Sequence, residues 1–127
     1  MSEIRTLIVD DSSVMRKIVE RSLRQAGLDG LVVVEAANGV EGLEALKAAP
    51  VDLILSDINM PAMDGLEFLR QIREQKLAVG IPVVMITTES SEEHVKQAIQ
   101  AGARGYIRKP FTAEQVKERV LPLVKAS

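Results

Sequence analysis

The chain has no cysteine and no tryptophan, and Tyr106, Phe68 and Phe111 are its only aromatic residues. Without cysteine, disulfides and thiolate metal sites are excluded, and a reducing cytoplasm is the expected compartment. No apolar run approaches the roughly 20 residues needed to cross a bilayer, and the opening Met1-Ser2-Glu3-Ile4-Arg5 does not read as a signal sequence. No membrane association is therefore expected. Nor does either charge dominate: 16 Lys and Arg stand against 18 Asp and Glu, interspersed to a formal charge of −2, which leaves no basic footprint for nucleic acid. No repeat, low-complexity tract or linker breaks the sequence. The expectation is one domain spanning residues 1–127, monomeric, with no second domain to carry an output, and 46% hydrophobic residues suffice for its core.

What is present is an alternation of short β-rich runs and helical patterns. Leu7-Ile8-Val9 ends at Asp10-Asp11, Leu53-Ile54-Leu55 ends at Asp57, and Val83-Val84-Met85-Ile86 ends at Thr87. A strand over Leu31 to Ala36 and another over Gly105 to Lys109 complete five, the last with Ile107 facing one way and Tyr106 and Arg108 the other, as on an edge strand. Helical spacing predicts inward faces made by Val14, Met15, Ile18, Val19, Leu23 and Ala26, by Val40, Leu43 and Leu46, by Leu66, Leu69 and Ile72, by Val95, Ala98 and Ile99, and by Val116, Val120 and Val124. Gly27, Pro50 and Ala101-Gly102 read as stops, Asn38-Gly39 as a turn, and Ser90-Ser91-Glu92-Glu93 as a helix start. Strand–helix alternation implies a parallel sheet, so the predicted fold is an α/β flavodoxin-like doubly wound sandwich of five strands in order 2-1-3-4-5 with five helices.

In such a sheet all strands deliver their carboxyl ends to one edge, where ligands bind. Asp10, Asp11 and Asp57 would meet there and repel one another unless a hard, oxygen-seeking cation, Mg2+ or Ca2+, sat among them. Capping of the first helix explains one acidic residue near Ser12, but not Asp57, which precedes a loop. Thr87 supplies a hydroxyl at the end of the fourth strand and Lys109 a cation at the end of the fifth. A carboxylate flanked by a metal, a hydroxyl and an ammonium suits phosphoryl transfer: the carboxylate is the nucleophile, and the equatorial oxygens need positive charge and donors.

Asp10-Asp11, Ser56-Asp57, Met60-Pro61, Asp64-Gly65, Thr87 and Lys109-Pro110-Phe111 together make the whole chain resemble a response-regulator receiver domain. The resemblance implies that a histidine kinase's phosphoryl group moves to Asp57, with Mg2+ bound directly by Asp11, Asp57 and the carbonyl of Asn59 and through water by Asp10. It also assigns Thr87 and Lys109 to the phosphoryl oxygens and implies a cis Lys109-Pro110 bond. Asn59, Glu89, Tyr106 and Phe111-Thr112-Ala113 narrow the resemblance to single-domain, CheY-like chemotaxis regulators that bind the flagellar switch. For that group the implication is a partner face of Val95, Ile99, Tyr106, Arg108, Phe111 and Arg119, with Tyr106 as the switch, and Asn59 and Glu89 tuning dephosphorylation. Thr88, Glu92 and Arg108 depart from the residues usual at their places.

Other classes remain. A phosphorelay intermediate would pass the group on to a histidine phosphotransfer protein. A Mg2+-dependent phosphatase with an aspartyl nucleophile commonly carries a second catalytic Asp two residues on, where this chain has Asn59. A flavin carrier on the same fold needs an anion-binding loop after the first strand, and Asp10-Asp11 would repel the phosphate. The expectation is therefore a signalling phosphoprotein, not an enzyme with a separate substrate. His94, the one histidine, reads as a solvent-facing helix residue.

Overall fold

Apolar residues alternate along each central strand, and the two sets they form face opposite layers of helices. The computed structural model describes residues 3–28, 30–58, 60, 62–87, 92–109 and 111–125, excepting the side chains of Glu92, His94 and Lys125. The predicted starts at Ser90-Ser91, together with Thr88, lie outside the described residues. Ten elements follow in order: β1 Ile4–Val9, α1 Ser13–Gln25, β2 Leu31–Ala36, α2 Gly39–Ala48, β3 Leu53–Asp57, α3 Gly65–Glu74, β4 Val83–Thr87, α4 Glu92–Gln100, β5 Gly105–Arg108 and α5 Ala113–Lys125. All strand pairs are parallel, and the order is β2-β1-β3-β4-β5. The predicted flavodoxin-like sandwich is the observed fold. Among the described residues no helix is long and apolar enough to cross a membrane.

Leu7, Val9, Ile54, Val83 and Met85 pack with α2, α3 and α4, whereas Ile8, Leu55, Val84, Ile86 and Ile107 pack with α1 and α5. Phe68, for which periodicity predicted no special place, is fully buried in the first layer. Gly42 admits it, since a Cβ there would come within 2.8 Å of the Phe68 ring.

The helix faces are narrower than predicted. On α1, Val19, Ser22 and Leu23 are buried, but Val14 is 69% exposed and Ile18 43%. Val40 on α2 and Ile99 on α4 also face solvent, while Leu43, Leu46 and Ala98 are buried. A helix touches a sheet along a line, so apolar residues flanking the stripe stay in water. β5 ends at Arg108, one residue earlier than predicted, with Ile107 buried and Arg108 exposed as its edge position requires. Helix ends follow local chemistry. Ser12, Asn38 and Asp64 accept backbone N–H bonds from Met15, Glu41 and Glu67, and Thr112 and Gln115 cap α5 reciprocally. Gly27 follows α1 at φ +99°, the left-handed stop that glycine adopts without steric cost.

Candidate functional site

Register brings the acidic residues together. β1 and β3 are neighbours with Val9 opposite Ser56, so Asp10 and Asp57, the next residue of each strand, leave the sheet side by side. Carboxylate oxygens of Asp10, Asp11 and Asp57 lie within 4.8 Å of one another. Asp10 and Asp57 are buried and Asp11 is exposed, so the cluster opens to solvent on one side. A set of three carboxylates with one open side fits a hard divalent cation that keeps part of its water shell. These three residues can hold such a metal.

Each is positioned differently. Asp10 Oδ1 accepts the Ser12 N–H at 2.9 Å, and the Asp10 backbone N–H donates to Ala36 at 3.0 Å. Ser12, not either aspartate, caps α1 through its hydroxyl. Asp57 closes β3 beside β4, and α3 begins close by: Gly65 N–H donates to the Ile58 carbonyl at 2.8 Å, and a Cβ at Gly65 would collide with the Asp57 carbonyl oxygen. Only glycine lets α3 start so close to the site. Ser56 Oγ donates to that same Asp57 carbonyl at 2.9 Å.

The predicted hydroxyl and cation arrive from the next two strands. Thr87, fully buried, ends β4, and the Lys109 N–H donates to its carbonyl at 2.8 Å. The Lys109 side chain then reaches back over the sheet edge, with Nζ 3.1 Å from Asp10 Oδ2 and 3.5 Å from Asp57 Oδ2. Only 10% of that side chain is exposed, so it is not a solvated loop lysine. Neighbouring positive charge partly offsets the mutual repulsion of the carboxylates.

Sequence reasoning missed Arg16. Its Nη1 donates to the Asp10 carbonyl at 2.6 Å and its Nε to Glu35 Oε1 at 2.8 Å, while Lys17 Nζ donates to Glu35 Oε2 at 3.0 Å. Hydrogen bonds from Arg16 and then Lys17 hold the Glu35 carboxyl below its ordinary range. Four residues after Ser12 on a helix, Arg16 falls on the turn above the site; the spacing was visible, but its partner on β2 was not.

Val95 and Tyr106 are half-buried, Ile99 and Arg108 exposed, and Arg119 lies with its guanidinium 5.6 Å from the centre of the Tyr106 ring. Phe111 is half-buried against the layer of α1 and α5. Asn59, Glu89 and the Lys109-Pro110 bond lie outside the described residues. A cleft of about 760 Å3 between α3 and α4, lined by Arg70, Arg73 and Gln97 among others, contains none of the three carboxylates. The site is an open sheet edge, not a pocket.

Residues 6–121 match the model of the response regulator receiver domain. The chain belongs to this family. As a receiver domain it is 43% identical over 117 residues to the chemotaxis protein CheY-3 of Vibrio cholerae, covering 92% of this chain and 88% of that protein. It is 41% identical over 118 residues to the CheY homolog of Campylobacter jejuni subsp. jejuni, covering 92% and 89%. Among solved structures, Vibrio cholerae CheY4 superposes with a TM-score of 0.85 at 36% identity, covering 96% of this chain and 99% of that one. The receiver domain of the response regulator NarL from Mycobacterium tuberculosis gives 0.86 at 32% identity over the full length of both. Membership places the chain in two-component signalling.

Proposed function

We propose that this receiver domain accepts a phosphoryl group on Asp57 from a histidine kinase and thereby changes what its α4–β5–α5 side binds, in control of chemotaxis and flagellar rotation. The observation that carries the reading is the Asp57 carboxylate, 9% exposed, with Lys109 Nζ 3.5 Å away and Asp10 and Asp11 beside it. Asp10, Asp11 and Asp57 would hold Mg2+, together with the carbonyl of Asn59, and the ion's chemistry would be neutralisation of charge on the transferring group. An Asp57 oxygen attacks phosphorus, and the bond from phosphorus to the donor atom breaks. With acetyl phosphate the leaving group is acetate. Lys109 and Thr87 then donate to the new phosphoryl oxygens, Lys109 giving up its contact with Asp10. Glu89 and Asn59, beyond Thr87 and Asp57, tune hydrolysis. The relatives in Vibrio and Campylobacter carry chemotaxis names, which supports the chemotactic output over a phosphorelay intermediate.

The test is intact-mass spectrometry after incubation with acetyl phosphate and Mg2+. The wild type should gain one phosphoryl group, EDTA should prevent it, and Asp57→Asn should abolish it. Equal labelling of Asp57→Asn, with substitute labelling of a nearby hydroxyl checked by fragmentation, would sink the assignment.

A further inference from the structure

Arg16 is the charged group at the acidic edge that the phosphoryl-transfer reading leaves without a role. Its guanidinium joins two things that are distant in sequence, the Asp10 carbonyl and the Glu35 carboxylate on β2, at 2.6 and 2.8 Å. Only 15% of the Arg16 side chain is exposed, which is low for a surface ion pair. β2 lies beside β1 with Glu35 opposite Ile8, so the Glu35 side chain is anchored to the same sheet that delivers Asp10.

The carbonyl held by Arg16 belongs to the peptide that links Asp10 to Asp11. That unit is planar, so fixing its oxygen fixes the plane and the direction in which the Asp11 Cα leaves it. Asp10 is already held elsewhere, by the Ser12 N–H on Oδ1 and by Lys109 on Oδ2. Asp11 is exposed and carries no hydrogen bond or ion pair among the described residues, so its carboxylate depends on the backbone for its aim.

We infer that Arg16, oriented by Glu35, is a positioning residue for divalent-cation binding: it aims the Asp11 carboxylate through the peptide plane that it holds. The inference rests on the metal reading of Asp10, Asp11 and Asp57. It makes a prediction opposite in sign to simple electrostatics. A cation beside three carboxylates repels a second cation, so loss of its charge alone would tighten Mg2+ binding. Loss of its geometry would weaken it.

Isothermal titration with Mg2+ separates the two. Arg16→Met should weaken binding about tenfold, the lower end of what loss of a ligand's supporting hydrogen bond costs. Arg16→Lys should weaken it as well despite its charge, because an ammonium cannot span the carbonyl and the carboxylate as a planar fork does. Glu35→Gln should weaken it less, and the double variant should match Arg16→Met, since Glu35 acts through Arg16. Lys17→Met, which removes the other partner of Glu35, should change affinity by less than about twofold. In phosphorylation by acetyl phosphate, the Mg2+ concentration for half-maximal rate should rise about tenfold in Arg16→Met, in step with the affinity. A variant with only a damaged fold would melt lower without shifting that midpoint. Unchanged or tighter Mg2+ binding by Arg16→Met, or by Glu35→Gln should the former not fold, overturns the inference and leaves the site reading intact. Wild-type Mg2+ binding that is absent or indifferent to Asp57→Asn removes both.

Discussion

At the residue scale, Lys109 is the side chain on which the resting site depends. Its ammonium lies within 4.0 Å of both the Asp10 and the Asp57 carboxylates, and both acids are nearly removed from water. Breaking one partner out of a buried ion pair leaves an uncompensated charge and is far more costly than losing a surface pair. Lys109→Met should therefore lower stability in EDTA by about 3 kcal/mol at neutral pH, read from urea unfolding, and Mg2+ should recover part of it by replacing the lost charge. A loss no larger than that of a surface lysine would mean that water enters the cluster freely. By contrast, Arg24 with Glu20 and Arg70 with Glu67 are ion pairs along exposed helix faces, and their removal should matter little.

At the scale of elements, β1 does two jobs that conflict. It is a central strand, paired on both sides, and it also carries Thr6, whose hydroxyl is fully buried with no hydrogen-bond partner among the described residues. A buried unsatisfied polar group costs its desolvation with nothing returned. Thr6→Val, nearly equal in shape, should stabilise the protein by about 1 kcal/mol, seen as a higher urea midpoint at unchanged slope. A lower midpoint would show that the hydroxyl has a partner after all. The helices teach a different lesson. Val14, Ile18, Val40 and Ile99 fit the apolar period and yet stand in solvent, because the period identifies the side of a helix and not how much of that side the sheet covers. Gly42, buried on α2, has no side chain and so leaves room for Phe68 and Val9.

At the scale of the molecule, the acidic edge and the proposed partner face are linked by β4 and β5. Thr87 ends β4 at the site, its carbonyl is tied to Lys109, and Tyr106 stands three residues before Lys109 on β5. The contact of Arg119 with the Tyr106 ring joins that strand to α5. On the proposed reading this is the path from Asp57 to the face, and a signal along it needs differential affinity between two states. A hundredfold preference of the phosphorylated form for a flagellar-switch peptide corresponds to about 2.7 kcal/mol of coupling. Chemical-shift mapping should place the peptide on Val95, Ile99, Tyr106, Arg108, Phe111 and Arg119. Shifts confined to α1 and the acidic edge would point instead to a phosphotransfer partner.

The sequence alone determined the elements and their order, because strand runs, helical periods and glycine stops are local signals, and alternation of the two leaves a parallel sheet as the economical arrangement. It also determined which residue types reach the ligand edge: Asp10, Asp11, Asp57, Thr87 and Lys109 each sit at the carboxyl end of a run. Tertiary structure decided what those residues do to one another. The register of β1 against β3 sets the carboxylate separation, and the path of Lys109 back over the edge sets its choice of Asp10 and Asp57. Arg16, which holds the Asp10 carbonyl, meets Glu35 from another strand. Such contacts join residues 6 to 99 positions apart, and no local pattern of hydrophobicity or spacing carries information about where two distant side chains meet.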